Sequence, residues 1–206
     1  MESQRLTLTD RYWRWIYSLA GQRIILGVPV RVLLPSESAA AIWAKVERAL
    51  TLIHACDPRS FNRLSRLVDG VFVFGDVGPQ AYWSERTRLI TIQEAHVMNP
   101  RASPGEIAST LVHETTHAWL DAKGFSYDAE CRQRVEAICV RSELAFARKV
   151  PDSGRIVSAA EWRLALPASH WTDAGFTQRA RQQLRSIGIP KWLARVLLRV
   201  RRRRAA

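Results

Sequence analysis

The 206 residues, 47% hydrophobic and 24% charged, are enough for one domain with a substantial core, and no run reaches the roughly 18 uninterrupted apolar residues of a membrane span. Three cysteines, Cys56, Cys131 and Cys139, without CxxC spacing argue against a disulfide framework or a cysteine-rich zinc knuckle. Of the net charge of +12, ten positive charges fall after Phe176 with no acid among them, so the basic character belongs to a tail and says little about what the main domain acts on.

The N-terminus, MESQRLTLTDRYW, lacks the basic start, apolar core and small-residue cleavage site of a signal peptide, and a cytoplasmic protein is expected. RYWRWIYSLAGQRIILGVPVRVLL alternates aromatic and arginine residues until Gly27 and Pro29 interrupt it, which predicts a short helix followed by a strand. Ser36 is the expected N-cap of a helix to Ala55, with Ile42, Val46, Ala49, Leu50 and Ile53 at helical spacing and Pro58 as its stop. Three short apolar or aromatic runs, Val71 to Phe74, Ala81 to Ser84 and Leu89 to Ile92, predict a small, mostly antiparallel sheet.

Ser103, Pro104 and Glu106 then form a capping box with proline at the first helical position. The helix they open runs to about Ala122, with Gly124 as its stop. Ser126, with Asp128 in the first turn, predicts a second helix to about Lys149, ended by Pro151. Ala159 to Leu166 and Phe176 to Ile187 also have helical patterns. In IPKWLARVLLRV, Ile189, Trp192, Leu193, Val196, Leu197 and Val200 share one helical face while Lys191, Arg195 and Arg199 lie elsewhere, the pattern of a basic amphipathic helix. The expected fold class is α+β, with a catalytic domain over 1–175 and a basic helical extension over 176–206. That extension can pack on its own domain, lie on an anionic membrane surface or grip nucleic acid.

The helix opened at Ser103 carries the motif HETTH. Residues four apart share a helix face, so His113 and His117 can direct their imidazoles at one ion while Glu114 projects near the open coordination position. There Glu114 can act as general acid/base, taking a proton from a zinc-activated water and handing one to a leaving amine. The bland alternative is that both histidines are ordinary polar residues of an amphipathic helix, in a basic binding or scaffold protein whose HETTH is incidental.

With its capped helix and the strand-rich segment just upstream, the stretch from Val71 to Pro151 resembles the zincin metallopeptidases. The resemblance implies a zincin-like fold, a Zn2+ cofactor, a protein or peptide substrate, and an edge strand lining the substrate cleft. It also implies a third ligand from beyond the helix. The metzincin extension would need glycine where the chain has Leu120 and histidine where it has Lys123, and is ruled out. The gluzincin pattern takes a glutamate from the next helix, and the candidates are Glu130, Glu136 and Glu143.

In an antiparallel helix pair each residue advances about 1.5 Å, so the ligand should lie about as far after the turn as the histidines lie before it. Glu136 fits best, set among Val135, Ala137, Ile138 and Cys139, where a carboxylate is costly to leave unpaired. Its bland reading is a surface charge paired with Arg132. VEAICVRSELAFARKVP is similar to the small gluzincins, in which the ligand glutamate precedes an alanine-rich helix. The thermolysin-like ExxxD pattern is broken, however, because Val140 stands where an acid would orient a ligand histidine; Asp121, Glu143 or a backbone carbonyl are the substitutes. For polarising the substrate carbonyl, Tyr127, His96 and His170 are candidates, with His170, in the run ASHWTDAG, preferred.

Overall fold

The computed structural model describes residues 15–33, 36–75, 79–186 and 190. Residues 15–19 are helical (α1) and lead into β1 (Gly21–Ile25) and β2 (Val28–Val32). A single strand was the expectation; the segment is instead a hairpin, in which Ile25 faces Val28 across a two-residue turn. Leu26 and Gly27 both have positive φ, 50° and 82°, as required for a tight turn whose twist matches that of the paired strands.

Helix α2 (Ser36–Cys56) buries Ile42, Val46, Ala49, Leu50 and Ile53 completely. Pro58 ends it only by beginning another, α3 (Pro58–Leu67). The Asp57 carboxylate caps α3 by accepting from the Ser60 backbone N–H at 3.4 Å and its hydroxyl at 2.8 Å, and proline suits a first turn where no N–H is needed.

Strands β3 (Gly70–Phe74), β4 (Ala81–Ser84) and β5 (Leu89–Gln93) complete a five-stranded sheet of order β1-β2-β3-β5-β4. The sheet is mixed rather than mostly antiparallel. The outer pairs are antiparallel, but β2 with β3 and β3 with β5 run parallel. The cause is the connections: α2 and α3 return the chain between β2 and β3, and the antiparallel β4 returns it between β3 and β5, so that each parallel partner starts from the same end of the sheet. Strands β3 and β5 are buried over four consecutive residues each, which is why β3 reads as a continuous apolar run and β5 as one broken only by the buried Thr91.

The short α4 (Glu94–Met98) precedes α5 (Pro104–Ala122). Both capping-box bonds are made, Glu106 N–H to the Ser103 hydroxyl at 3.2 Å and Ser103 N–H to the Glu106 carboxylate at 2.7 Å. Helix α6 (Arg132–Ala147) begins later than expected. Asp128 does not lie in its first turn; the Asp128 side chain accepts from the N–H groups of Glu130 and Cys131, at 3.0 and 2.8 Å, and so holds a non-helical turn ahead of α6. Then follow α7 (Gly154–Leu164), a 3-10 turn (Ala168–Trp171) and α8 (Asp173–Ser186). The division expected between residues 175 and 176 falls inside α8. Ile187 and the basic amphipathic helix over 189–200 lie outside the described residues, Pro190 excepted.

The main core joins β2, β3 and β5 to α2, α3 and α5. On the other face of the sheet, Ile16 and Ala20 pack on Phe72. Helix α5 is central, touching α2, α3, α6 and β4. The architecture is α+β, and among the described residues no helix is long and apolar enough to cross a membrane.

Candidate metal centre

Helix α5 places His113 and His117 side by side on the face that packs against α6, with ring centroids 4.9 Å apart and Nε2 atoms 3.1 Å apart. Glu136, one turn into α6, meets both: its Oε2 is 3.5 Å from His113 Nε2 and its Oε1 is 3.8 Å from His117 Nε2. Donors bound at about 2.0–2.2 Å to a tetrahedral ion stand roughly 3.3–3.5 Å from one another, so the two ring nitrogens and the Glu136 carboxylate are already near the spacing that a bound ion imposes. Cys139 extends the cluster, because its sulfur and a nitrogen of each histidine all lie within 4.8 Å of one another. His113, His117 and Cys139 can hold a metal ion.

The elements fix this arrangement from three sides. Tyr127, in the loop before α6, donates its hydroxyl hydrogen bond to Glu136 Oε1 and packs edge-on against the His117 ring, with centroids 5.3 Å apart. Glu143, two turns beyond Glu136, does not face the Nε2 atoms. It accepts instead from His113 Nδ1, and is itself held by Arg163 of α7, whose Nη1 donates to Oε1 at 2.9 Å while Nη2 donates to Oε2. The Ser109 hydroxyl adds a contact to Oε2 at 3.4 Å. A carboxylate on the far nitrogen fixes both the tautomer and the orientation of a ligand histidine. Here that carboxylate is Glu143 and not Asp121.

Glu114 is buried on the wall of an open cleft of about 460 Å³, which is also lined by Gln80, Ala81, His96, Thr110 and His113. The backbone N–H of Trp83 on β4 bonds its carboxylate. Strand β4, the edge of the sheet, packs beside α5 and meets the cleft at its first residue, Ala81, while the opposite wall is α7, through Arg155, Ile156, Ala159 and Arg163.

Charge in the pocket is unevenly compensated. Burial, reinforced by Glu136 and Glu143, pushes the Glu114 carboxyl up to about 7 against the opposing pull of His113. Burial alone would raise Glu136 too, but His113, His117 and Tyr127 outweigh it and hold that carboxyl down at about 2. Glu143 is likewise kept below the usual carboxylate range, its burial overcome by His113 and Arg163. Burial opposes the charging of His113, yet Glu136 and Glu143 draw a proton onto it strongly, and burial together with that charge keeps His117 neutral. Arg163 compensates Glu143 and protonated His113 faces Glu136, so each of these two ionised carboxylates has a cationic neighbour.

The residues expected from the sequence divide clearly. His113, His117 and Glu136 come together, with Glu114 beside them on the cleft wall. Glu130 is exposed in the turn before α6. His170 lies in the 3-10 turn, packed edge-on against Trp171 at 4.9 Å, and does not line the cleft; a loop downstream of the ligand helix does not by itself reach the site. His96 does line it, with Nε2 3.3 Å from the Thr110 hydroxyl, and burial lowers its pKa. Arg163 and Cys139 are the residues that sequence reasoning missed. Compared with known proteins, the chain matches no family model, and no curated protein or solved structure resembles it significantly.

Proposed function

We propose that this chain is a zinc-dependent peptidase of the gluzincin type, with His113, His117 and Glu136 as metal ligands and Glu114 as general acid/base. The observation that carries the proposal is the convergence of two imidazoles and an ionised carboxylate beside a second, buried carboxylate that faces an open cleft. Zinc is the ion this set suits best, since imidazole with one carboxylate is a donor set of catalytic zinc sites and calcium or magnesium would call for oxygen throughout. When bound, zinc supplies a Lewis acid that polarises a carbonyl and acidifies water.

The protein's own residues do the rest. Glu114, ionising near 7, is matched to taking a proton from the attacking water and returning it to the leaving amine near neutral pH. Trp83 N–H fixes that carboxylate from the sheet side. Tyr127 and Glu143 hold the ligand residues in place. An extended peptide can add to the free edge of β4, since an edge strand offers unpaired backbone groups, and such pairing lays its peptide bonds along the α5 wall. An edge strand packed beside α5 supports the zincin-like reading and a protein or peptide substrate.

The test is elemental analysis of the purified protein alongside peptide hydrolysis. Wild type and Glu114→Gln should each carry one zinc, with hydrolysis lost in the variant, while Glu136→Ala should lose the metal. Zinc that survives Glu136→Ala but disappears in Glu143→Ala would overturn the ligand set. Equal activity with and without Glu114 would overturn the peptidase.

A further inference from the structure

Cys139 lies on α6 one turn after Glu136, is completely buried, and has its sulfur grouped with the nitrogens of His113 and His117. The proposed hydrolysis makes no use of it. In a tetrahedral zinc shell, with metal–sulfur and metal–nitrogen bonds of about 2.3 and 2.0 Å, sulfur and nitrogen stand roughly 3.5 Å apart. The present separations, at most 4.8 Å, differ from that by about the reach of a side-chain adjustment.

We propose that Cys139 is a fourth protein ligand of this metal, its thiolate taking the coordination position that solvent takes during hydrolysis. The centre then has two forms. In the open form His113, His117 and Glu136 hold the metal and one position remains for solvent. In the closed form the Cys139 S–H bond breaks, a sulfur–metal bond forms, the solvent molecule leaves and the thiol proton goes to bulk solvent, with no change of oxidation state.

Burial and the neighbouring Glu136, Glu114 and Glu143 keep the Cys139 thiol protonated in the metal-free site; a divalent ion between the rings reverses that balance, because a coordinating thiol is deprotonated by the ion's own charge. Four protein donors also characterise zinc sites that bind metal without turning over, in contrast to catalytic sites that keep one position open. The thiolate thus acts as a built-in inhibitor of the same centre, and it biases the site toward thiophilic ions over manganese or magnesium.

This inference rests on the metal centre of the proposed peptidase, and one experiment separates the two. The full-length chain is loaded with cobalt(II) in place of zinc, and its cobalt content and absorption spectrum are measured for wild type, Cys139→Ser and Cys139→Ala. The expected result is one cobalt per chain with an intense near-ultraviolet sulfur-to-cobalt charge-transfer band, absent from whichever Cys139 variant retains cobalt. One bound cobalt without that band in wild type overturns the thiolate ligand and leaves the His113, His117 and Glu136 set standing. A band that persists in the variants assigns the sulfur to another cysteine and also overturns it. Absence of cobalt uptake by wild type removes both the inference and the centre on which it rests. The wild-type spectrum decides the first of these outcomes even if both variants fail to fold.

Discussion

Glu114 owes its properties to where α5 meets β4. Replacement by Gln keeps the shape and the Trp83 contact but removes the ionisable group, so under the proposed role peptide hydrolysis should fall by about 10²–10⁴-fold, the usual contribution of a positioned general acid or base, with zinc content unchanged. Glu136 makes a different prediction, one about stability. In the metal-free protein it ionises at about 2 instead of the ordinary 4.5. Its stabilising contribution is therefore complete above pH 4.5 and is lost as pH falls toward 2. Thermal midpoints of chelator-treated protein should drop across that window, and Glu136→Gln should flatten the drop. Arg163 is the third case. Its removal leaves Glu143 buried with only His113 and Ser109, and Arg163→Met should cost roughly 3 kcal/mol in urea unfolding, together with weaker zinc binding as His113 loses its fixed orientation.

What was legible at this scale follows from how locally each residue is specified. His113, Glu114 and His117 stand out because their spacing within one helix already implies a shared face. Glu136 needed a depth argument across a turn, and although α6 starts only at Arg132, the Glu136 carboxylate lies 3.5 and 3.8 Å from the two histidine Nε2 atoms. Glu143 was both a ligand candidate and an orienting candidate, and nothing in its neighbours decides between them. The contact with His113 Nδ1 does. Arg163 and Cys139 were not legible at all, since Arg163 reaches its partner across two helices and Cys139 looks like any small apolar residue of a buried face.

Among the elements, caps and turns are where single substitutions read most directly. Ser103→Ala removes one half of the capping box on the helix that carries the motif and should lower stability by about 1 kcal/mol, measurable by denaturant titration. In the β1–β2 turn, Leu26 is 48% exposed and held at positive φ. Leu26→Asn puts a residue that tolerates this conformation before Gly27 and should raise stability by about 0.5–1 kcal/mol. The sheet shows why element type is easier to read than element direction. Each apolar run was recognisable as a strand, but direction is set by the length of the connection, and the α3 half of the crossover was hidden behind Pro58, which reads equally well as a stop or as a first helical residue. The continuous apolar run of β3 was the remaining sign of parallel neighbours.

For the whole molecule, the centre bridges helices that are separate in sequence. An ion on His113, His117 and Glu136 fastens α5 to α6, and at a hundredfold excess over its dissociation constant it should add about 2.7 kcal/mol of stability; calorimetry with zinc and with a chelator measures the difference. Helix α5 packs against α2, α3, α6 and β4 and buries most of its length, with the cleft on one side. Its backbone amides should be among the slowest in the chain to take up deuterium, exchanging only when the entire fold opens. Helix α7 is placed otherwise: it lies mainly against α6 and is tied to the centre through the pair of Arg163 and Glu143. A partial opening that lifts α7 away releases Glu143 and frees the His113 ring while the core stays folded. The site can therefore go slack before the protein melts, and amides of α7 should exchange early, at denaturant concentrations where those of α5 are still protected.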